Sequence, residues 1–190
     1  INREIEVIPN FICPEHYLLK PEKDFRLEYA PYGERIITHI SNFRPVKRLG
    51  DVIKIFQKIL EEIPAKLILV GDGPDRCRVE QMCRELGTCH HTSIIGKLKK
   101  PEEVLAISDL FLLPSESESF GLAALEAMAS GVPVVSTNTG GLKEVNVDGF
   151  SGYLSEVGDI DDMAQNAIKI LGDDQTLNKF RTNARRRAHD

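Results

Sequence analysis

The sequence predicts an α/β domain built on a parallel, doubly wound sheet. Short apolar runs rich in β-branched residues alternate with longer stretches whose apolar residues recur every three or four positions. Strands joined by helical crossovers pair in parallel and carry helices on both faces. One unit shows the whole arrangement. Leu110–Leu113 is a continuous apolar run, Pro114–Ser119 a polar, acidic loop, Phe120–Gly131 an alanine-rich helix, and Pro133–Val135 the start of the next strand. Its loop lies at the carboxyl end of a strand and the amino end of a helix, where open α/β sheets bind ligands.

The other elements follow in order. Glu4–Ile8 is a short strand candidate closed by Pro9-Asn10. Phe11–Gly33, broken by Pro14, Pro21 and Pro31, reads as a connection with a turn or two of helix. Arg35–Ile40 is a strand, and Ser41–Lys47 is the loop after it. Leu49, Val52, Ile53, Phe56, Ile59, Leu60 and Ile63 share one helical face, and Pro64 ends that helix. Lys66–Val70 is a strand. Gly71-Asp72-Gly73-Pro74 is a tight turn, with Pro74 suited to a first helical turn. That helix runs to about Leu86, and Gly87 ends it. Ser93–Ile95 is a strand and Pro101–Ile107 a helix. Beyond Thr137 come a glycine-containing loop, Asn138–Gly141, a helical turn, Leu142–Val145, and a strand, Gly152–Leu154. Asp161–Leu171 and Gln175–Ala188 are the last helices. No internal repeat, low-complexity tract or linker divides the chain, so one Rossmann-like domain spans residues 1–190.

A chain of 190 residues can bury one sizeable core. Its net charge of −5 gives no overall basic field, so nucleic acid and anionic membranes are not expected partners. No apolar run reaches spanning length and no signal peptide is present, so no transmembrane segment and a cytoplasmic location are expected. Cys13, Cys77, Cys83 and Cys89 lack C-x-x-C spacing and read as free thiols of a reducing compartment. Cys89-His90-His91 has no second ligand pair at zinc-site spacing, so no metal site is expected. The chain begins at Ile1 within a strand candidate and stops at Asp190 within a helix candidate, as expected of a fragment of a longer protein.

Ser119 is the N-cap candidate for the alanine-rich helix. The amides after it then lie free at a helix end whose dipole adds positive potential. Gly121 has no side chain to obstruct close approach. Such an end holds phosphate without a metal; a plain cap with a glycine for packing is the alternative. Glu126 is the only charged residue between Gly121 and Gly131. A carboxylate on so apolar a helix should be buried and needs partners. Ribose hydroxyls would serve, and so would a structural arginine. The rise from Ser119 to Glu126 is about 10 Å at 1.5 Å per residue, enough to reach another part of one ligand. Glu118 lies in the loop before the helix, either solvated or part of the site.

Two carboxylates near a pocket also suggest glycoside hydrolysis. That chemistry needs both groups on one bond, whereas one of these sits on the flank of a helix built to receive an anion. Arg44 and Lys47, with Arg48 alongside, follow the strand ending at Ile40. Cations are poorly placed at a helix start unless an anion joins them, which suits a diphosphate; a solvated cluster is the alternative. Gly71-Asp72-Gly73-Pro74 fails as a dinucleotide fingerprint, because Arg76 stands where the third glycine belongs. There is no P-loop. His39 reads as a core or loop histidine.

These motifs resemble a known family. Glu118-x7-Glu126, set in PSESESFGLAALEAMASGVPVV, is similar to the signature of the retaining GT-B glycosyltransferases of family four. Val70–Pro74 (VGDGP), Thr139–Val145 (TGGLKEV) and Asp148–Leu154 (DGFSGYL) match it in order and spacing, and Val7–Phe11 (VIPNF) resembles the segment that opens the family's C-terminal domain. The resemblance implies the C-terminal half of a GT-B fold, a donor-binding domain whose N-terminal acceptor domain is absent from this chain. It implies that Glu118 contacts the donor sugar, that Ser119 and the amides of Phe120, Gly121 and Leu122 hold the diphosphate, that Glu126 binds the ribose, and that Lys47 meets phosphate. The family's Gly-Arg is replaced by Ser41-Asn42, and the resemblance implies that Arg44, two residues late, supplies the arginine's catalytic role from the shifted position beside Glu118 and Lys47.

Ile40–Arg48 (ISNFRPVKR) resembles more narrowly the branch that makes N-acetylglucosaminyl malate for bacillithiol biosynthesis. That implies UDP-N-acetylglucosamine as donor, L-malate as acceptor, and no cofactor or metal. The implied reaction is sugar transfer with retention. A UDP-sugar epimerase shares the fold, though the SFGLAALEAMA pattern fits transferases better; a non-catalytic nucleotide-sugar-binding module is the other reading.

Overall fold

A computed structural model describes residues 10–19 and 23–190; the strand candidate Glu4–Ile8 lies outside them. The described strands are β1 (Arg35–Ser41), β2 (Ala65–Gly71), β3 (Thr92–Gly96), β4 (Leu110–Leu113), β5 (Val134–Thr137) and β6 (Gly152–Ser155). All pair in parallel, in the order β3-β2-β1-β4-β5-β6. The chain builds outward from β1 to one edge, crosses back, and builds outward again from β4. The strand order therefore reverses between β1 and β4, which opens a crevice above their carboxyl ends.

Helices cover both faces: α1 (Lys23–Tyr29), α2 (Leu49–Leu60), α3 (Arg76–Glu85), α4 (Pro101–Ile107), α5 (Leu122–Ala129), α6 (Leu142–Val145), α7 (Ile160–Leu171) and α8 (Asp174–His189). Alternation along each strand divides the core. Ile37, Leu67, Leu69, Leu110 and Leu112 point to one face, where α2, α3 and α7 pack. Ile36, Ile68 and Val70 point to the other, against α4, and Phe111, Leu113 and Val134 meet α5 there. The expected stripe of α2 is the buried one: Leu49, Val52, Ile53, Phe56 and Ile59 are all in the core. Each such side chain contributes about 1.5–3 kcal/mol on full burial, so this stripe seats α2 on the sheet.

The structure corrects three element limits. α2 stops at Leu60, because the amides of both Glu62 and Ile63 turn back to the Ile59 carbonyl, at 3.1 and 2.8 Å. α3 starts at Arg76, which leaves Pro74 in the turn before it. α5 starts at Leu122, because Gly121 has φ +97°, outside the right-handed helical range.

The amino ends of the central strands are tied by one carboxylate. Asp109 precedes β4 and is 2% exposed. Its Oδ2 accepts from the Ile36 amide at 2.8 Å and from Arg26 of α1 at 2.7 Å. Its Oδ1 accepts from Arg181 of α8. One side chain thus fastens β1, β4, α1 and α8. Removing it leaves two arginines without their charge partner. Asp109→Ala is expected to cost about 3–5 kcal/mol of stability, read as a lower urea midpoint.

Candidate functional site

Pairing of Ile37 with Leu110 and Thr38 with Phe111 sets β1 beside β4. The loops leaving their carboxyl ends, 41–47 and 114–121, are therefore neighbours, and the Glu116 amide donates across to the Val46 carbonyl at 2.8 Å.

The first loop is braced from behind by the turn after β2. A Cβ on Gly71 would stand 1.8 Å from the Ser41 carbonyl oxygen, and one on Gly73 would stand 2.1 Å from that of Asn42. Backbone approaches backbone there, so only glycine fits. This is what the Gly71-Asp72-Gly73 turn does in place of holding a dinucleotide. Within the loop, Phe43 is fully buried with φ +43°, and Arg48 has φ +50°. Both are uncommon for residues with a Cβ.

His39 fixes the start of this loop. It is fully buried. The Leu112 carbonyl can only accept, so Nδ1 carries the proton and donates to it at 2.8 Å. Nε2 then accepts from the Ser41 hydroxyl at 2.8 Å, and Ser41 Oγ accepts from the Phe43 amide at 3.3 Å. Burial pushes the His39 pKa down from 6.5 to about 4, with the bond to Leu112 opposing it. His39 belongs to the core, as expected, and the neutral ring is what the loop is built on.

The second loop is braced by the one after β5. A Cβ on Gly140 would fall 1.9 Å from the Glu118 carbonyl oxygen, and one on Gly141 would fall 2.6 Å from Phe120 Cα. The Gly141 amide donates to the Glu118 carbonyl at 3.0 Å, and the Thr139 hydroxyl to that of Glu116 at 3.1 Å.

Ser119 does not cap α5, which corrects the expectation. The N-cap is Gly121, and no side chain caps the helix. The left-handed turn at Gly121 ends the extended loop two residues later than the serine suggests. The amides of Ser119, Phe120, Gly121, Leu122 and Ala123 still find no acceptor among the described residues. These five residues line an open cavity of about 450 Å³ together with Lys47, Glu118 and Glu126.

Glu126 is therefore only four residues into α5, about 6 Å from its start, and not about 10 Å beyond a capping serine. The helix is buried on one side only. Ala124, Ala127 and Met128 are in the core, while Leu122 is 44% exposed beside the cavity. Glu126 is half-buried, and its partner is no arginine: Oε1 accepts from the Tyr17 hydroxyl at 3.0 Å. Burial raises the Glu126 pKa, and the Tyr17 bond opposes the rise.

Glu118 is not solvated. Its Oε1 meets Lys47 Nζ at 2.5 Å and accepts from the Ser115 hydroxyl at 2.8 Å. Two expected site residues from different loops thus form an ion pair at the cavity wall. Arg44 is exposed and lies outside the cavity lining, and Arg48 turns away to pair with Asp51 at 2.6 Å. Asn10, Ser41 and Asn42 line the cavity and were not singled out as site residues. Ser41-Asn42 replaces a family motif, which was a usable signal. Cys89–His91 form an exposed turn, and no group of three or more metal-ligating side chains gathers among the described residues.

A parallel sheet whose switch point holds unpaired helix amides, a lysine and two carboxylates has the make-up of an anion-binding α/β domain. The chain belongs to the family described as glycosyl transferases group 1, whose model matches residues 22–187. It is 43% identical over 190 residues to N-acetyl-alpha-D-glucosaminyl L-malate synthase of Bacillus anthracis, covering all of this chain and 50% of that protein. It is 29% identical over 163 residues to 2-deoxystreptamine N-acetyl-D-glucosaminyltransferase of Niallia circulans, covering 84% of this chain and 42% of that protein. The chain spans about half the length, or less, of the curated relatives it matches. Among solved structures, Anabaena Alr3699/HepE in complex with UDP and glucose superposes with a TM-score of 0.88 at 25% identity, over 96% of this chain and 51% of that one. S. aureus TarM in complex with UDP superposes with a TM-score of 0.83 at 25% identity, over 98% and 36%. Glycosyltransferases of the GT-B class are thus the structural neighbours of this domain.

Neutral His39 gives the domain an acid sensitivity. Between pH 6.5 and about 4 the unfolded chain holds a proton on this residue that the folded chain does not. Stability from this group is complete above 6.5 and is lost as pH falls to about 4. The loss amounts to about 3 kcal/mol at 1.36 kcal/mol per pKa unit. Melting curves across this range should show a shallower acid limb in His39→Asn than in the parent, from a lower starting Tm.

Proposed function

We propose that the chain is the donor-binding domain of a retaining glycosyltransferase that takes N-acetylglucosamine from UDP-N-acetylglucosamine and delivers it to L-malate. The observation that carries this reading is the cavity at the switch point, where one helix end offers free amides, with Lys47 on one side and Glu126 on the other. Amides of Ser119–Leu122 and the α5 dipole hold the diphosphate. Lys47 adds a full charge to it. Glu126, one turn along the same helix, accepts from the ribose hydroxyls. Glu118 stands between Lys47 and the sugar, and orients both. Arg44 takes no part in this arrangement where it stands.

Cleavage of the glycosidic bond leaves negative charge on UDP, and the amides and Lys47 are aimed at that charge as it develops. The acceptor hydroxyl attacks from the face the UDP leaves, so configuration is retained, and the departing phosphate takes the hydroxyl proton. The donor sugar and the acceptor are suggested by the likeness to the malate synthase, together with the Ile40–Arg48 stretch. The acceptor is held by a second, N-terminal domain, so the two halves close over both substrates.

UDP should raise the Tm of the domain and NAD should not. Glu126→Ala should remove the shift, and an unchanged shift would sink the ribose assignment. Lys47→Ala should weaken UDP about 10- to 100-fold by titration calorimetry, as expected for one charge-assisted contact. Residues 1–190 alone should show no sugar transfer from UDP-N-acetylglucosamine to malate; measurable turnover would put the acceptor site in this half.

A further inference from the structure

The partner of Glu126 has no role in the reading above. Tyr17 lies in the short turn Pro14–Tyr17, on the segment that leads into the domain, 109 residues from Glu126 in sequence. Its ring packs against the apolar cluster beneath α5, and its hydroxyl reaches up to Oε1 of the carboxylate. Oε2 has no partner among the described residues. A glutamate has three side-chain torsions to fix before it can accept from a ribose diol, and freezing them at binding weakens affinity.

We infer that Tyr17 is a positioning residue for the nucleotide: it holds one oxygen of Glu126 so that the other is oriented for the ribose hydroxyls. The inference rests on the assignment of Glu126 to the ribose.

The electrostatics agree with the geometry. Burial raises the Glu126 pKa and Glu102 of α4 raises it further, while the Tyr17 hydroxyl bonds the charged form and lowers it. Tyr17 itself is pushed up to about 12, by burial first and Glu126 second, so it stays a donor across the working range. Lys47 and Glu118 line the same cavity from the facing loops. Without the hydroxyl, Glu126 protonates at higher pH and loses its acceptor capacity earlier on acidification.

The test is titration calorimetry with UDP and with 2′,3′-dideoxy-UDP on the parent, Tyr17→Phe, Glu126→Ala and the double variant. Tyr17→Phe keeps the ring and removes only the hydroxyl. It is expected to weaken UDP about tenfold and to leave dideoxy-UDP unchanged. The acid limb of its UDP affinity should move to higher pH. In the double variant the loss should be no greater than in Glu126→Ala alone, because the two groups act as one unit. If Tyr17→Phe binds UDP as the parent does, or weakens both nucleotides equally, the positioning role is overturned. If Glu126→Ala itself binds UDP normally, the ribose assignment falls, and this inference with it. A normal Tyr17→Phe beside a weak Glu126→Ala removes the inference alone.

Discussion

Where β1 lies beside β4, the chain leaves the sheet twice at the same place, and the two departing loops must share one space. Everything at the cavity follows from that adjacency. A lysine on the 41–47 loop can reach a glutamate on the 114–121 loop only because Ile37 is in register with Leu110. A parallel sheet aligns the carboxyl ends of its strands, so the helix that follows β4 presents its amino end to the same crevice. The two contributions to anion binding, a side-chain charge and a set of unpaired amides, come from separate elements brought together by strand pairing.

Each loop at the crevice rests on another loop. The turn after β2 presses its glycines into the carbonyls of Ser41 and Asn42, and the turn after β5 does the same to Glu118 and Phe120. Close backbone packing of this kind makes the loops stiff without regular structure. It also explains why motifs far apart in the sequence serve one cavity. The glycines around Gly71 and Gly140 are not among the cavity-lining residues, yet they brace the loops that carry Lys47 and Glu118. The His39–Ser41–Phe43 relay adds a polar version of the same support from within the core.

The strands and the face of α2 were legible because burial imposes a period, and period is visible in one sequence. Glu118, Lys47 and Glu126 were legible because their spacing follows the strand–loop–helix unit. What escaped had no such imprint. Tyr17 meets Glu126 through packing of a turn against a helix, and nothing local to either residue announces the other. The helix start differs because Ser119 is a good capping residue by type, while the positive φ at Gly121, where a Cβ would lie 2.6 Å from Leu142, belongs to the tertiary fold. Arg44 and Lys47 look alike in sequence. The left-handed residues at Phe43 and Arg48 and the short helical turn Pro45–Lys47 between them send one side chain inward and leave the other outside.

Asp109 fastens the amino ends of β1 and β4, whereas the cavity lies above their carboxyl ends, about 13 Å away along the four residues from Asp109 to Leu113. Rigidity and recognition thus occupy opposite poles of one sheet. Replacements around the cavity rim can accumulate without loosening the clasp below, and the clasp can be preserved while the rim is rewritten for another ligand. A fold wired this way drifts in specificity more easily than in shape.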